Sequence, residues 1–516
     1  MREHGLWTIA RDDPERTAVI DPDGRSVTYA GLAAAADRYG RGLQALGLEP
    51  GDVVAVLLPN GSDLLALFFA TLETGLYIVP INWHLIGPEI AYLLGDSEAG
   101  AFVAHERFAA VAQEAADSAG LPAGARYAVG DIPGFTPLAG LGAGEPAARP
   151  DRRTLGAPMV YTSGTTGRPK GVQRPLTGGD PDQPPAAGQW FLGIFGVRPF
   201  DQHVHICCSP LYHTAVLNFA TLAIQLGHPA VLMDGFDAER MLELIAAHRV
   251  TYSHMVPTQF RRLLALPDDV RAKYDLSSLR AMIHGAAPCP PQIKRRMLDW
   301  WGPVVIDYYA ATEGGGTMIS ATEWLQRPGS VGRPWPGSTV RVLDEDGQEV
   351  PTGETGLVYM QMGNSDFQYH HDAEKTRASR VGRLFTLGDV GYLDPEGYLY
   401  LCDRKTDMII SGGVNVYPAE IEGELAAHPD VADVAVFGIP HPDWGEEIKA
   451  VVQPADGVAP DDALRERLLE FARTRLARFK VPRSIDFTAQ IPRDDNGKLY
   501  KRKLRDPYWA GAERVI

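Results

Sequence analysis

Cysteine is scarce in this chain, with four in 516 residues. Cys207 and Cys208 are adjacent, and Cys289 and Cys402 stand alone. A disulfide framework needs several spaced pairs, and zinc needs CxxC pairs or Cys/His clusters. Neither pattern occurs, so the four read as small buried hydrophobes in a reducing compartment. Long apolar runs are also missing: residues 64–70 and 215–224 fall well short of the ~18 that span a bilayer. The opening MREHGLWTIARDDPE carries no apolar stretch behind its charges, which predicts no secretory signal. Positive charge is in deficit, with 49 Lys and Arg against 65 Asp and Glu for a formal net charge of -16. Such a surface repels polyphosphates and anionic membranes. The chain is therefore expected in the cytoplasm, with neither a nucleic-acid nor a membrane partner. A local basic site for a small phosphate ligand is compatible with that charge, and so is a homodimer. No repeat of fixed period is found.

What is present is an ordinary globular composition, 45% hydrophobic and 22% charged. The length suggests two to four domains. Short β-rich runs alternate with amphipathic segments. Strands are expected at 53–58, 78–81, 204–208 and 251–255, and helices at 62–73, 88–94, 238–248 and 257–266. Ser62 or Asp63 is placed to cap the first of these helices. Such alternation indicates a largely parallel sheet covered by helices on both faces. The Pro/Gly-rich stretch 178–188, GGDPDQPPAAG, reads as a loop, either a surface insertion or a mobile cover. Near residue 404 the pattern shortens to helix 419–427, strands 432–438 and 448–453, and helix 463–477. The predicted fold class is α/β: a large N-terminal domain of helix-covered sheets, residues 1–405, plus a small mobile α+β C-terminal domain, residues 406–516.

The most informative stretch is YTSGTTGRPKGV, residues 161–172, after an apolar run at 158–161. Gly164, Gly167 and Gly171 let the backbone curl and point N–H groups at one spot. Thr162, Ser163, Thr165 and Thr166 add hydroxyls and Lys170 a point charge, the set an anionic polyphosphate requires. It is not a P-loop, which needs four residues between its glycines and Ser or Thr after the lysine. Further along, YYAATEGGG places Thr312 and Glu313 before three glycines, a hard-oxygen site suited to Mg²⁺. HGAAP ends an apolar strand at 279–283 with a turn of small residues. PRDDNGKLYKRKL sets Lys498 after an Asn-Gly turn in a charged tail that by composition alone reads as solvated surface.

Together these segments resemble the adenylate-forming enzymes: acyl-CoA synthetases, peptide-synthetase adenylation domains and firefly luciferase. The resemblance recurs in order at 285–288, 309–313, 388–389, 404–422 and 492–498, and so covers nearly the whole chain. It implies that the glycine loop, with Thr162, Ser163, Gly164, Thr165, Thr166 and Lys170, holds the β- and γ-phosphates of ATP. Gly285, Ala286 and Ala287 would line the adenine pocket, with the Tyr309 ring on the adenine face. Asp389 would take both ribose hydroxyls, assisted by Arg404. Thr312 would meet the α-phosphate and Glu313 the Mg²⁺. His213, in SPLYHTAVLN, would line the passage between acid and nucleotide. Lys498 would reach the acid and α-phosphate during adenylation, where two anions must be brought together. The C-terminal domain would then rotate about a hinge at Thr406 and present Ser411, Gly412 and Gly413 as part of a tunnel for the pantetheine arm of coenzyme A.

The resemblance therefore implies an ATP-dependent, AMP-forming acyl-CoA ligase acting on a small-molecule carboxylic acid. Three positions depart from the usual pattern: Ala310 for Gly, Leu387 for Thr, and Thr406 for Asp or Lys at the hinge. These keep open a ligase working mainly in its thioester-forming half. A second alternative loads a carrier-protein thiol in place of free CoA. No Asp or Glu occurs between Asp201 and Asp234, where amino-acid-activating relatives pair the substrate ammonium. An unpaired buried ammonium is costly, so an amino acid is disfavoured. The apolar segments 214–223, 254–260 and 314–320 favour a bulky apolar acid, fatty or polycyclic and terpenoid- or steroid-like.

Overall fold

Valine crowds residues 53–57, and β-branched side chains without polar alternation suit a strand covered on both faces. Val53–Leu57 is such a strand, buried at every position. The computed structural model, which describes residues 4–145, 148–162, 169–183, 186–363, 366–411, 413–493 and 499–510, places it inside a six-stranded sheet. The order is Thr136–Pro137, Arg126–Val129, Ala99–His105, Val53–Leu57, Tyr77–Pro80, Ala157–Pro158, with every pairing parallel. Helices Tyr29–Ala45 and Ser62–Thr74 bury Leu32, Leu43, Leu65 and Phe69 in the core on one face. Fully burying each such side chain contributes about 1.5–3 kcal/mol.

The chain divides into two compact units: Met1–Met255, Leu266–Ile283 and Ser365–Ala378 in one, and Val256–Ala265, His284–Asn364 and Ser379–Ile516 in the other. The first also holds a parallel set in which His205–Cys207 lies between Ala230–Leu232 and Tyr252–Met255. Helix Ala238–His248 falls where the sequence places it. The cap expected from Ser62 or Asp63 does not form. Gly61 is the N-cap without a side-chain bond, and Asp21 accepts from the Ser62 backbone N–H and hydroxyl, each at 2.8 Å. A carboxylate brought in by tertiary structure thus does the work of a local cap.

The loop expected at 178–188 is shorter, because helix Ala186–Ile194 begins inside it. Its first part is pinned. Asp182 accepts from Arg149 and Arg153, both at 2.8 Å, and Leu155 N–H donates to the Gly179 carbonyl at 2.9 Å. Arg153 also donates to buried Glu73 at 3.0 Å and lies 5.0 Å over the Trp7 ring. Burial, and then the neighbouring Asp37, push the Glu73 carboxyl up to about 8.

In the second unit the expectation of parallel pairing fails. Strands Val305–Ala310, Gly316–Ile319, Ser330–Pro334, Leu399–Arg404, Leu384–Leu393, Gly356–Met362 and Ser338–Leu343 follow one another across an antiparallel array. A parallel pair needs a crossover of a dozen or more residues, whereas short turns join antiparallel neighbours. From Ile409 onward the chain builds its own five-stranded sheet: Val414–Val416, Ile409–Ser411, Gly445–Pro454, Val431–His441, and Ser484–Phe487 against the third of these. Helices Pro418–Leu425 and Asp462–Arg473 close its core on Ile421, Leu425, Val436, Val452, Leu464 and Leu468. The fold is thus mixed α/β, with a large N-terminal sheet region and a small C-terminal one. No helix among the described residues is long and apolar enough to cross a membrane.

Candidate active site

Alternation along Val305–Ala310 sends Asp307 and Tyr309 to one side and Tyr308 to the other. The Tyr309 hydroxyl donates to Asp389 Oδ2 at 2.5 Å. Asp389 stands opposite Arg404 in the pairing of Leu384–Leu393 with Leu399–Arg404, and Arg404 Nε lies 3.4 Å from its other oxygen. Three residues proposed for adenine and ribose are therefore joined in one chain of contacts. Burial, reinforced by the Asp389 carboxylate, holds the Tyr309 phenol well above its ordinary range, so it remains a donor. Asp389 is buried and keeps further acceptor positions on its two oxygens.

Gly285, Ala286 and Ala287 follow the strand Ala281–His284. A Cβ on Gly285 would meet the Tyr308 ring at 2.8 Å and its carbonyl oxygen at 2.9 Å, so only glycine fits. Ala286 takes φ 65°, and the Ala287 N–H closes onto the Gly285 carbonyl at 2.8 Å. A buried cluster lies beside the turn. Lys294 Nζ is 3.2 Å from Asp307 Oδ2 and 4.8 Å over Trp324, and His284 Nε2 is 3.6 Å from the same carboxylate oxygen. Phe260 meets the His284 ring edge to face at 5.2 Å. Burial lowers the His284 imidazole to about 4.

Thr312 and Glu313 occupy the turn joining Val305–Ala310 to Gly316–Ile319, with Gly314 and Gly315 at positive φ. Glu313 is 5% exposed. Among the described residues no group of three His, Cys, Asp or Glu could enclose a metal. One buried carboxylate beside a hydroxyl instead suits Mg²⁺, which keeps several waters and takes its remaining ligands from phosphates. The residues present fit that ion.

In the first unit, Lys170 stands opposite Thr162 where Lys170–Gln173 pairs with Val160–Thr162. Its ammonium is 3.4 Å from Asp372, brought there because Gln368–Tyr369 pairs with the other edge of Lys170–Gln173. Ser163, Gly164, Thr165 and Thr166 lie outside the described residues, as does the Thr162 side chain. His213 is the N-cap of the apolar helix Thr214–Gln225. It leans on Tyr212 with ring centroids 4.3 Å apart, and Tyr212 meets Trp83 at 4.8 Å.

In the C-terminal region Thr406 sits in the turn after Arg404, whose carbonyl accepts from Asp407 and Met408. Ser411 pairs with Val414 and Gly445, and Gly413 takes φ 78°. Gly412 and Lys498 lie outside the described residues. The tail is not wholly the solvated surface its composition suggests. The Lys501 side chain is 10% exposed and lies 2.9 Å from Glu422. Asp372, the Lys501–Glu422 pair and the exposed Trp444 escaped sequence reasoning. A single charge or ring carries no local signal of its distant partner.

The chain belongs to the AMP-binding enzyme family. The model of the AMP-binding enzyme matches residues 6–364, and that of the AMP-binding enzyme C-terminal domain matches residues 420–498. It is 36% identical to a feruloyl-CoA synthase of Amycolatopsis sp, over 98% of this chain and 99% of that one. It is 35% identical to the long-chain-fatty-acid–CoA ligase FadD13 of Mycobacterium tuberculosis, over 96% of each. The structure of the anthranilate CoA ligase AuaEII with anthranoyl-AMP superimposes with a TM-score of 0.85, at 26% identity over 98% of this chain and 97% of that one. Within the family the chain is an ATP-dependent, AMP-forming acyl-CoA ligase, which uses ATP and CoA to activate a carboxylic acid.

Proposed function

We propose that the acid is bulky and apolar, a fatty acid or a polycyclic acid of terpenoid or steroid type. The observation that carries this is the helix Thr214–Gln225. It bears no charged side chain and buries Val216, Leu217, Phe219, Ala220 and Ala223 behind His213. Nothing on it would pair an ammonium group. The test is CoA-thioester formation across fatty, polycyclic, aryl and amino acids. The expected order puts bulky apolar acids first by kcat/KM, and an amino acid at the head of the panel would overturn the reading.

The reaction runs in two halves. Tyr309 presents its ring to adenine, Asp389 with Arg404 takes the ribose hydroxyls, and Thr312 meets the α-phosphate. The glycine loop and Lys170 hold the outer phosphates. Glu313 would hold Mg²⁺, which would offset phosphate charge there. Lys498 stabilises the charge that builds as the carboxylate attacks the α-phosphate and pyrophosphate leaves. The division of labour falls between residues 1–405 and 406–516. The latter part turns about Thr406, withdraws Lys498 and brings Ser411, Gly412 and Gly413 to the pantetheine arm. The CoA thiol then attacks the acyl carbon and AMP departs. Trp444, 39% exposed, stacks on His441 at 4.2 Å and lies under Arg483 at 4.6 Å. It directly precedes Gly445, which pairs with Ser411. The free cysteines support a cytoplasmic setting.

A further inference from the structure

Lys498 belongs to a five-residue stretch, 494–498, that lies outside the described residues, yet the chain on both sides of it is firmly placed. Arg493 and Leu499 form an isolated antiparallel bridge, and the Tyr500 N–H donates to the Pro492 carbonyl at 2.9 Å. The downstream side is fastened by Lys501 to Glu422. The upstream side is fastened by a two-pronged contact: Arg493 Nε donates to Asp433 Oδ2 at 2.6 Å and Nη2 to Oδ1 at 2.9 Å. The same carboxylate accepts from Arg261 Nη1 at 2.8 Å. Arg261 sits on helix Pro257–Leu264, within the part of the chain that matches the AMP-binding enzyme model. Asp433 and Arg493 lie in the part that matches the C-terminal domain.

We infer that Asp433 is a positioning residue for the adenylation half-reaction: it grips the base of the Lys498 stretch through Arg493 and ties that base to helix Pro257–Leu264 through Arg261. The inference rests on the two-half reading given above, in which the C-terminal part carries Lys498 into place and later withdraws it. Two-pronged guanidinium–carboxylate contacts fix orientation as well as distance. The Asp433 side chain is 13% exposed and the two arginines 23% and 24%, so solvent screens the cluster only partly. Burial alone would raise the Asp433 carboxyl, but Arg493 and then Arg261 outweigh it and hold it below its ordinary range. One anion shared by two cations also makes the Arg261 contact separable: Arg493 alone still neutralises Asp433 when Arg261 lets go. An interaction made in only one arrangement lowers the barrier of the step performed there and leaves the other step alone.

The test measures the two halves separately in full-length protein. One assay follows acid-dependent pyrophosphate release, the other thioester formation from preformed acyl-adenylate and CoA. Variants are Arg261→Ala, Arg261→Lys and Asp433→Asn, with thermal midpoints to confirm folding and Lys498→Ala as the control. Arg261→Ala is expected to slow pyrophosphate release about tenfold, the scale of one charged hydrogen bond, with the thioester half within about twofold. Arg261→Lys, which keeps the charge, is expected to recover most of the loss. Asp433→Asn, which loosens both arginines, is expected to lose more than Arg261→Ala. Equal losses in both halves, no loss in either, or a larger loss in the thioester half would overturn the role of Asp433. If Lys498→Ala itself depressed both halves alike, the two-half reading would fail independently of Asp433.

Discussion

The Tyr309 hydroxyl donates to Asp389 at 2.5 Å, so the ring proposed for adenine and the carboxylate proposed for ribose are positioned by each other. Removing the phenolic oxygen frees the ring, whereas removing the charge of Asp389 weakens its hold on Tyr309, Arg404 and the ribose together. Asp389→Asn is therefore expected to raise the KM for ATP by about 10- to 100-fold, given 1.5–3 kcal/mol for hydrogen bonds to a charged group. Tyr309→Phe, which keeps the aromatic face, is expected to cost only a few-fold. ATP titrations of the adenylation half check this, and an Asp389→Asn enzyme with unaltered ATP dependence would remove Asp389 from the ribose site.

Lys498→Ala is expected to lower adenylation by at least about 100-fold, the scale seen when one preorganised charge-stabilising group is deleted. Thioester formation from supplied acyl-adenylate should stay largely intact. Single-turnover assays of each half decide the matter.

Three buried histidines make the fold acid-sensitive. Burial lowers His205 and His228 to about 3 and His284 to about 4, from an ordinary 6.5. Each is neutral in the folded chain and binds a proton more readily when unfolded. Their stabilisation is complete above pH 6.5 and drains away as pH falls toward 4 and 3. The slope is about 1.4 kcal/mol per pH unit for each group. Denaturant midpoints should fall between about pH 6.5 and 5, where three histidines outweigh the opposite slope of Glu73, and replacing His205 by Phe should flatten the profile. A midpoint independent of pH over that range would contradict the assignment.

Lys294 lies in full burial 3.2 Å from Asp307, whose side chain is 12% exposed. Lys294→Met leaves Asp307 as an uncompensated buried charge and is expected to destabilise by about 3–5 kcal/mol. Lys294→Met with Asp307→Asn should recover most of that loss. Urea unfolding of the single and double variants measures the difference, and additive losses would show that the two groups are not coupled.

Much of this was legible in the sequence because it is written in local patterns. The unbroken apolar run at Val53–Leu57 announced a two-sided buried strand, and the periodicity of Ala238–His248 announced its helix. The resemblance to adenylate-forming enzymes pointed to Tyr309, Asp389 and Arg404, which the fold does join. What stayed hidden depends on pairs of residues far apart in the chain. Asp21 caps the helix at Ser62, Asp372 reaches Lys170, and Lys501 buries itself on Glu422. In each case a charged residue in a polar neighbourhood looks like surface until the tertiary structure supplies its counterpart. The antiparallel array from Val305 to Arg404 was missed for a related reason. Strand runs alone do not record direction.

Arg153 touches Trp7 on one side and Glu73 and Asp182 on the other. A single planar cation thus works as a rivet through three segments distant in the chain, beside the Trp7–Phe69 ring contact and the backbone bond from Thr154 to Glu73. Trimming the first helix, or fusing a bulky tag close before it, would withdraw the ring beneath that rivet. The slack would emerge far downstream, in the segment leading from the phosphate-loop strand to the helix at Ala186.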